Sequence, residues 1–124
     1  MDSLKIEKIS RELDKLELVA GIVGSAFVNR NGLTITSRLP RQIEERKFGA
    51  MAATMFGAME TATITLDSKL LNLTVEFDDL QLIILESGNN IIVVALTELN
   101  IDLGLIFVEI EESIKNVKDL IKGE

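Results

Sequence analysis

The side chains that could do chemistry in this sequence are carboxylates and serine hydroxyls, because it has no histidine and no cysteine. The usual general base, the usual metal-binding imidazole and any thiol nucleophile are therefore missing. Asp78 with Asp79 and Glu111 with Glu112 are neighbouring carboxylates. The first pair lies in a predicted turn and the second on the polar side of a predicted helix, and a serine nucleophile would need lysine as its base. We therefore predict that the protein is not an enzyme and has no catalytic residues, bound metal or cofactor.

Arginines suggest a different chemistry, the stabilisation of charge in the nucleotide site of a partner. An arginine supplied in trans accelerates phosphoryl transfer in some GTPases. The candidates are Arg30, Arg38, Arg41 and Arg46. The simpler interpretation, which we prefer, is that these side chains keep the surface soluble or pair with Glu44 and Glu45. We retain Arg38, Arg41 and Arg46 as candidate contacts with a partner.

The glycines do not form a phosphate-binding loop. Neither Gly21-Ile22-Val23-Gly24 nor Gly32 is followed by the lysine and the serine or threonine of a P-loop, and turns explain them. We therefore expect any GTP to be bound by a partner and not by this chain.

Composition and charge narrow the class of partner. The net charge of −7 over 124 residues argues against non-specific binding to nucleic acid or to an anionic membrane. Basic residues are concentrated between Arg30 and Lys47, and no lysine or arginine occurs from Leu70 to Ile114. This asymmetry could complement a charged partner, although two solvated surfaces are the simpler explanation.

The first ten residues are charged and lack the apolar core of a signal peptide, and no apolar run reaches the roughly 18 residues that cross a membrane. We expect one domain over residues 1–124, located in the cytoplasm and not inserted in a membrane. The absence of Cys, His, Trp and Tyr would suit a heat-adapted organism.

Hydrophobic periodicity indicates the elements that position these residues. Residues Ser3 to Leu18 carry apolar side chains at three- and four-residue steps, which predicts an amphipathic helix with Ser3 as its N-cap. Asn31-Gly32 lies between two strand-like segments, Val23 to Arg30 and Leu33 to Ser37. This pattern predicts a β-hairpin with a two-residue type I′ turn.

The segment from Phe48 to Leu66 predicts a central helix that starts near Pro40 and stops at Asp67-Ser68. One side is broadly apolar and rich in phenylalanine and methionine. The opposite side has few charges and three small residues at four-residue spacing: Gly49, Ala53 and Gly57. Glycine inside a helix costs roughly 1 kcal/mol relative to alanine, so a close approach should use these positions. We predict that the apolar side covers the protein's own sheet and the small side contacts a second copy, although the methionines could equally pack across the dimer.

Three strands and a helix complete the chain. Leu70 to Phe77 alternates in polarity, as expected for a half-buried strand. Leu80 to Leu85 and Ile91 to Leu96 are nearly continuous apolar runs, which predicts the central strands of the sheet. The apolar stripe from Leu103 to Ile121 predicts a C-terminal helix with Asp102 as its N-cap. The predicted fold is α+β, a five-stranded antiparallel sheet with helices on both faces, in the order α-β-β-α-β-β-β-α.

Three segments of the sequence, taken in order, resemble the roadblock family, which is named for a dynein light chain and is common in bacteria and archaea. They are Gly21 to Leu33, Phe48 to Met59 and Asn100 to Leu105. The resemblance covers nearly the whole chain, although Asn29 and Asn31 stand where the family often has aspartates. It implies a profilin-like three-layer sandwich that forms a homodimer. In the family, the central helix packs antiparallel on its twin, and the strand that follows it pairs with its twin.

The resemblance also implies a function, because family members act as scaffolds or regulators of small Ras-like GTPases. Some are bacterial homodimers that activate GTP hydrolysis by a motility GTPase. We therefore predict a non-enzymatic homodimeric regulator or scaffold of a small Ras-like GTPase. The interface residues that we predict are Gly49, Ala53, Met55, Phe56, Gly57, Glu60, Leu71, Leu73 and Val75. The alternative is a ligand-sensing domain of profilin- or PAS-like shape, which would need a cavity lined by a few convergent polar groups.

Overall fold

The computed structural model describes residues 1–122, in which a five-stranded antiparallel sheet lies between two layers of helix. The elements are α1 (Ser3–Glu17), β1 (Ile22–Asn29), β2 (Thr34–Arg38), α2 (Glu45–Ile64), β3 (Asn72–Glu76), β4 (Leu80–Gly88), β5 (Ile91–Glu98) and α3 (Leu103–Lys122). The strand order across the sheet is β2-β1-β5-β4-β3, and all neighbours are antiparallel. The predicted fold class and element order are confirmed. None of the helices in the described part of the chain is long and apolar enough to span a membrane.

Alternate side chains of the central strands enter two separate hydrophobic cores. Phe27, Ile83 and Val93 lie in the first core, with α1 and α3. The neighbouring residues Ile84 and Val94 lie in the second core, beneath α2. The apolar runs of β4 and β5 are continuous because these strands are covered on both faces, as predicted.

The first hairpin is present, but its turn differs from the prediction. A type I′ turn needs positive φ at both central residues, and in this loop Gly32 has a φ of 96° while Asn31 does not have a positive φ. The N–H of Gly32 donates to the carbonyl of Asn29 over 2.9 Å, and the N–H of Asn29 donates to the carbonyl of Leu33 over 2.8 Å. The loop is therefore a three-residue connection that ends in a left-handed glycine. The second hairpin, between β4 and β5, has positive φ at both Asn89 and Asn90, which fits the type I′ turn.

The N-caps of α1 and α3 are aspartates. The carboxylate of Asp2 accepts a hydrogen bond from the N–H of Lys5 over 2.8 Å, so the predicted cap Ser3 is wrong and lies inside the first turn. The carboxylate of Asp102 accepts from the N–H of Leu105 over 3.2 Å, as predicted.

Helix α2 is shorter than predicted at both ends. It begins at Glu45 instead of near Pro40, and it ends at Ile64, before the predicted stop at Asp67. Its N-cap is Glu44, whose carboxylate accepts hydrogen bonds from the N–H groups of Lys47 and Arg46, over 3.0 and 3.2 Å. These donors, that of Lys47 first, hold the pKa of Glu44 below its ordinary value of 4.5.

Candidate protein interface

The inner face of α2 packs on the sheet through aromatic and small side chains. Phe56 and Ala52 are fully buried, and Phe48 is nearly so. They lie in the second core with side chains of β1, β4 and β5. The structure thus places Phe56, a predicted interface residue, inside the chain's own core, which corrects that prediction. Met55 is half-buried and also packs against this core.

Gly49 and Ala53 lie on the inner face and not on the outer one. A methyl group at Gly49 would overlap the hydroxyl oxygen of Thr34 on β2. That hydroxyl donates to the carbonyl of Glu45 over 3.2 Å, so it is held against the helix. Ala53 is 7% exposed in the same core. The close approach that Gly49 permits is therefore one within the monomer, between α2 and its neighbouring hairpin.

Beyond Lys47 in its first turn, the opposite side of α2, which we call the outer face, carries no charged side chain. It consists of Ala50, Met51, Thr54, Gly57, Ala58, Thr61 and Ala62. All of these are exposed except Gly57, which is half-buried, and Met51 is 41% exposed. A Cβ added at Gly57 would have no neighbouring atom within 4 Å. Within residues 1–122, nothing therefore uses the absence of a side chain at this position.

The threonines of the outer face have their hydroxyls satisfied within the helix. The hydroxyl of Thr54 donates to the carbonyl of Ala50 over 2.8 Å, and that of Thr61 donates to the carbonyl of Gly57 over 3.1 Å. Bonding of this kind is available to a threonine inside a helix. Because no donor remains unused, the outer face behaves as an apolar surface despite its two threonines.

Glu60 lies beside the outer face but points back to the first hairpin. Its carboxylate forms an ion pair with the guanidinium of Arg30, which stacks over the ring of Phe56 at 5.2 Å from the ring centre. The N–H of Arg30 also donates to the carbonyl of Asn90 over 2.7 Å, so this loop is tied to the second hairpin. The predicted interface residue Glu60 thus has a partner within the monomer.

Strand β3 forms one edge of the sheet and pairs with β4 through Asn72–Glu76. Its apolar side chains Leu73 and Val75 are half-buried and face the side of α2, opposite Ile84 and Leu82. The end of α2 and the segment that joins it to β3 add three exposed apolar residues: Ile64 (76%), Leu66 (71%) and Leu71 (72%). An edge strand without proline or lysine leaves a row of backbone groups that another strand can pair with.

The candidate arginine side chains differ in whether other residues of the chain hold them in place. Arg38 donates to the carboxylate of Asp14 over 3.0 Å and to the hydroxyl of Ser10 over 2.6 Å, so it ties β2 to α1. It has little freedom to reach a partner. Arg41 and Arg46 are exposed and make no ion pair within residues 1–122.

Comparison with known proteins assigns the family. The sequence model of the Roadblock/LC7 domain matches residues 8–97. Two proteins of uncharacterised function from Methanocaldococcus jannaschii are each 33% identical to this chain over 114 residues, which cover 91% of this chain and 96% of each relative. This chain belongs to the Roadblock/LC7 domain family.

Solved structures share the fold of this roadblock domain. MglB of Myxococcus xanthus has a TM-score of 0.90 over 99% of this chain and 94% of its own, with 20% identity. The Roadblock/LC7 domain from Streptomyces avermitilis has a TM-score of 0.84 over 91% and 97% of the two chains, with 16% identity. The gliding protein MglB from Thermus thermophilus has a TM-score of 0.85 over 100% and 96%, with 11% identity. The recognition of the family from its sequence segments is confirmed.

The uncharged face of α2 in this roadblock domain was predicted from the sequence, but it was centred too close to Gly49 and Ala53. The exposed residues Met51, Ala58 and Ala62 were therefore not assigned to it. A signal for their placement is Lys47, an exposed charge that marks the solvent direction at the start of the helix. Met51, Thr54, Ala58 and Thr61 follow Lys47 at alternating four- and three-residue steps, so they share its side of the helix.

Proposed function

We propose that this roadblock domain is a non-enzymatic homodimer that regulates or scaffolds a small Ras-like GTPase in the cytoplasm. The observation that supports the dimer most directly is the outer face of α2, which is exposed, uncharged and joined by an apolar segment to the open edge of β3. Exposed apolar surfaces of this kind are typical of protein–protein interfaces.

The spacing within the outer face supports packing of α2 against a second α2. Met51, Thr54, Ala58 and Thr61 recur at three- and four-residue steps, as in the seam of two helices that cross at a shallow angle. Gly57 and the alanines leave room for the backbones to approach closely. Met51 supplies a flexible apolar side chain that can fill the remaining space.

The edge of β3 supports a second contact with the same partner copy. Pairing with the twin β3 would satisfy the free backbone groups of Asn72–Glu76 and extend the sheet across the dimer. It would also cover Leu71, Leu73 and Val75. A solved MglB is described with a tetrameric arrangement, at a TM-score of 0.89 and 12% identity, which is an example of self-association in a protein of this fold.

We infer the class of the second partner from the function of the roadblock family. Roadblock proteins act as scaffolds or regulators of small Ras-like GTPases, and we extend that role to this chain. Arg41 and Arg46, which are exposed near the start of α2, are the remaining candidate contacts. Arg38 is less suited to the role because Asp14 and Ser10 already hold it.

The ligand-sensing alternative gains no support from the residues that the structure describes. Strands β4 and β5 would line the cavity of such a sensor, but both of their faces are packed by side chains of the chain itself. We therefore retain the dimeric regulator.

The dimer is tested by placing a charge on the outer face. Thr54→Glu should give a monomer in equilibrium sedimentation at micromolar concentration, where the wild-type chain should be a dimer, because a buried unpaired carboxylate strongly disfavours association. Gln42→Glu, which adds the same charge at an exposed loop position, should leave the dimer intact. A wild-type monomer, or a Thr54→Glu dimer of unchanged affinity, would refute the proposed interface.

The regulatory role is tested with a small Ras-like GTPase from the same genome. The GTP-bound form should bind the wild-type chain, and its rate of phosphate release should change on binding, whereas Thr54→Glu should have a reduced effect. Binding without any change in hydrolysis or nucleotide exchange would support a scaffold role and contradict a regulatory one. Failure of every such GTPase to bind would contradict the proposed partner class.

A further inference from the structure

The first turns of α3 carry exposed apolar residues on the side that points away from the sheet. Leu105 is 52% exposed and Val108 is 61% exposed, and Gly104 lies beside them. The same side of the later turns is charged, through Glu111, Glu112, Lys115, Lys118, Asp119 and Lys122. The apolar character is therefore confined to one end of the helix, and we call Gly104, Leu105 and Val108 the α3 patch.

No contact within the described part of the chain requires a glycine at position 104. Its φ is not in the left-handed region, and a Cβ there would meet one atom within 4 Å, the carboxylate oxygen of its own N-cap Asp102, at an ordinary distance of 3.4 Å. Alanine would fit at this position and form helix better than glycine. Among the helical glycines Gly49, Gly57 and Gly104, the first is required by contact within the chain and the other two are not. Gly104 therefore leaves room for another backbone to approach.

The α3 patch lies at the end of the molecule where α1 also finishes. Gly21, just after α1, lies against the side chains of Ile101 and Ile106 at the start of α3. Leu18, the C-cap of α1, is 87% exposed at this end. The exposed apolar side chains at this end therefore come from two helices, α1 and α3.

Carboxylates predominate around the α3 patch, and Lys15 in the last turn of α1 is already paired with Glu12. From residue 70 to residue 114 the chain has no lysine or arginine. The carboxylates at this end are those of Glu98, Asp102, Glu109 and Glu112. None of them makes an ion pair within residues 1–122. A partner with positive charges would therefore find unpaired carboxylates on several sides of an apolar centre.

The α3 patch is separate from the proposed dimer interface. Helix α3 belongs to the first core and α2 to the second, on the opposite face of the sheet. Association through the outer face of α2 and the edge of β3 would leave Leu105 and Val108 exposed. A symmetric contact between two α3 patches is disfavoured because it would bring unpaired carboxylates together.

We propose that the α3 patch binds a basic amphipathic helix of a partner protein. The apolar side of that helix packs on Leu105 and Val108, with its backbone close to Gly104, and its lysines and arginines pair with the surrounding carboxylates. Packing of one helix along another suits side chains at three-residue spacing. The inference goes beyond GTPase regulation, since it gives the roadblock dimer a second docking surface on the other side of the sheet.

The test uses a synthetic peptide of leucine and lysine with helical periodicity, added to the full-length chain. Amide chemical shifts in NMR spectra should change at the first turns of α3 and around Leu18, and the affinity should fall as salt is raised. A peptide of the same composition without helical periodicity should bind at least about tenfold more weakly. Equal binding of the two peptides, or shift changes centred elsewhere, would overturn the proposal.

Matched variants identify the contact. Leu105→Ser combined with Val108→Ser should weaken peptide binding by about tenfold or more, while circular dichroism stays unchanged because both side chains are exposed. Leu4→Ser is the apolar control, since Leu4 is 58% exposed near the other end of α1. Glu112→Gln should weaken binding more than Asp119→Asn, which removes a charge two turns further along α3. Equal effects of patch and control variants would refute the site. A loss of self-association in the Leu105→Ser, Val108→Ser double variant would show that the occupant is a second copy and not a basic helix.

Discussion

Helices α2 and α3 have the same length, 20 residues, and lie on opposite faces of the same sheet, but their outward sides differ. The last turns of α3 present both acidic and basic side chains from Glu111 to Lys122, whereas the outer face of α2 presents alanine, threonine, glycine and methionine. A helix in contact with water normally carries charge on its outward side. The comparison indicates that the last turns of α3 have the composition of a solvated surface, while the outer face of α2 has the composition of a surface that can be covered by another protein.

Within α2, the comparison between Gly49 and Gly57 shows that glycine alone does not mark an interface. Gly49 is needed because β2 is in the way of a side chain, and Gly57 has open space around it. The two positions are on different sides of one helix. The surroundings of each glycine, and not its residue type, show whether it serves a contact within the chain or leaves space for a partner.

The largest expected effect comes from truncating the inner face of α2. Phe56→Ala should reduce the free energy of unfolding by about 3–5 kcal/mol, because the ring is fully buried. Met51→Ala, on the outer face, should change it by less than about 1 kcal/mol in the monomer. Urea denaturation in a Thr54→Glu background would measure both without a contribution from dimerisation. Similar losses for the two variants would reverse the assignment of inner and outer faces.

The two glycines of α2 should respond to alanine with opposite signs. Gly49→Ala should cost about 1–3 kcal/mol of stability, because the new methyl group meets Thr34. Gly57→Ala should stabilise the monomer by up to about 1 kcal/mol, since alanine is the better helix former. Adding Thr34→Ala should recover part of the loss at Gly49, and a double-mutant cycle by urea denaturation would measure this coupling. Additive effects would show that the Thr34 hydroxyl is not the obstacle.

The sequence was sufficient for the element order, because the periodicity of each segment is strong and depends on local neighbours. It was insufficient for the rotation of α2. The inner face of α2 is one broad arc that includes Phe48, Gly49, Ala53 and Phe56. The centre of this arc is set by the position of the first hairpin, which depends on the tertiary fold.

The turn type of the first hairpin and the N-cap of α1 were also beyond the sequence pattern. Asn31-Gly32 has the composition of a type I′ turn, but the loop includes Arg30, which is held by Asn90 and Glu60 from other elements. Asp2 and Ser3 are both good capping residues, and only their position relative to the first turn distinguishes them. In the first hairpin, contacts distant in sequence therefore choose between locally acceptable turns.

A smaller effect is expected at Arg30 and Glu60, which border the outer face but turn inward. Arg30→Ala and Glu60→Ala should each cost about 1 kcal/mol, with coupling of similar size, because the ion pair is half-buried and the guanidinium stacks on Phe56. The thermal stability of the two single variants and the double variant would give the coupling. If Glu60→Ala instead weakened the dimer without changing the stability of the monomer, Glu60 would contact the twin, as the sequence predicted.

The smallest effect concerns the start of α2, where Glu44 accepts from two backbone N–H groups. Because its pKa is lower in the folded chain than in the unfolded one, Glu44 adds stability at pH values above its unfolded pKa, and this contribution is lost as the pH falls through the folded-state pKa. Glu44→Gln keeps an oxygen acceptor but removes the charge, so its stability should decline less than that of the wild type between neutral pH and about pH 3. Urea midpoints across this range would measure the difference, and parallel curves would mean that the charge of Glu44 does not stabilise the helix. Glu44→Ala removes the acceptor as well, so it should be less stable than Glu44→Gln at low pH, where the glutamate itself is protonated. The comparison of Glu44→Ala with Glu44→Gln therefore separates the stability contributed by the cap hydrogen bonds from that contributed by the charge of Glu44 at the start of α2.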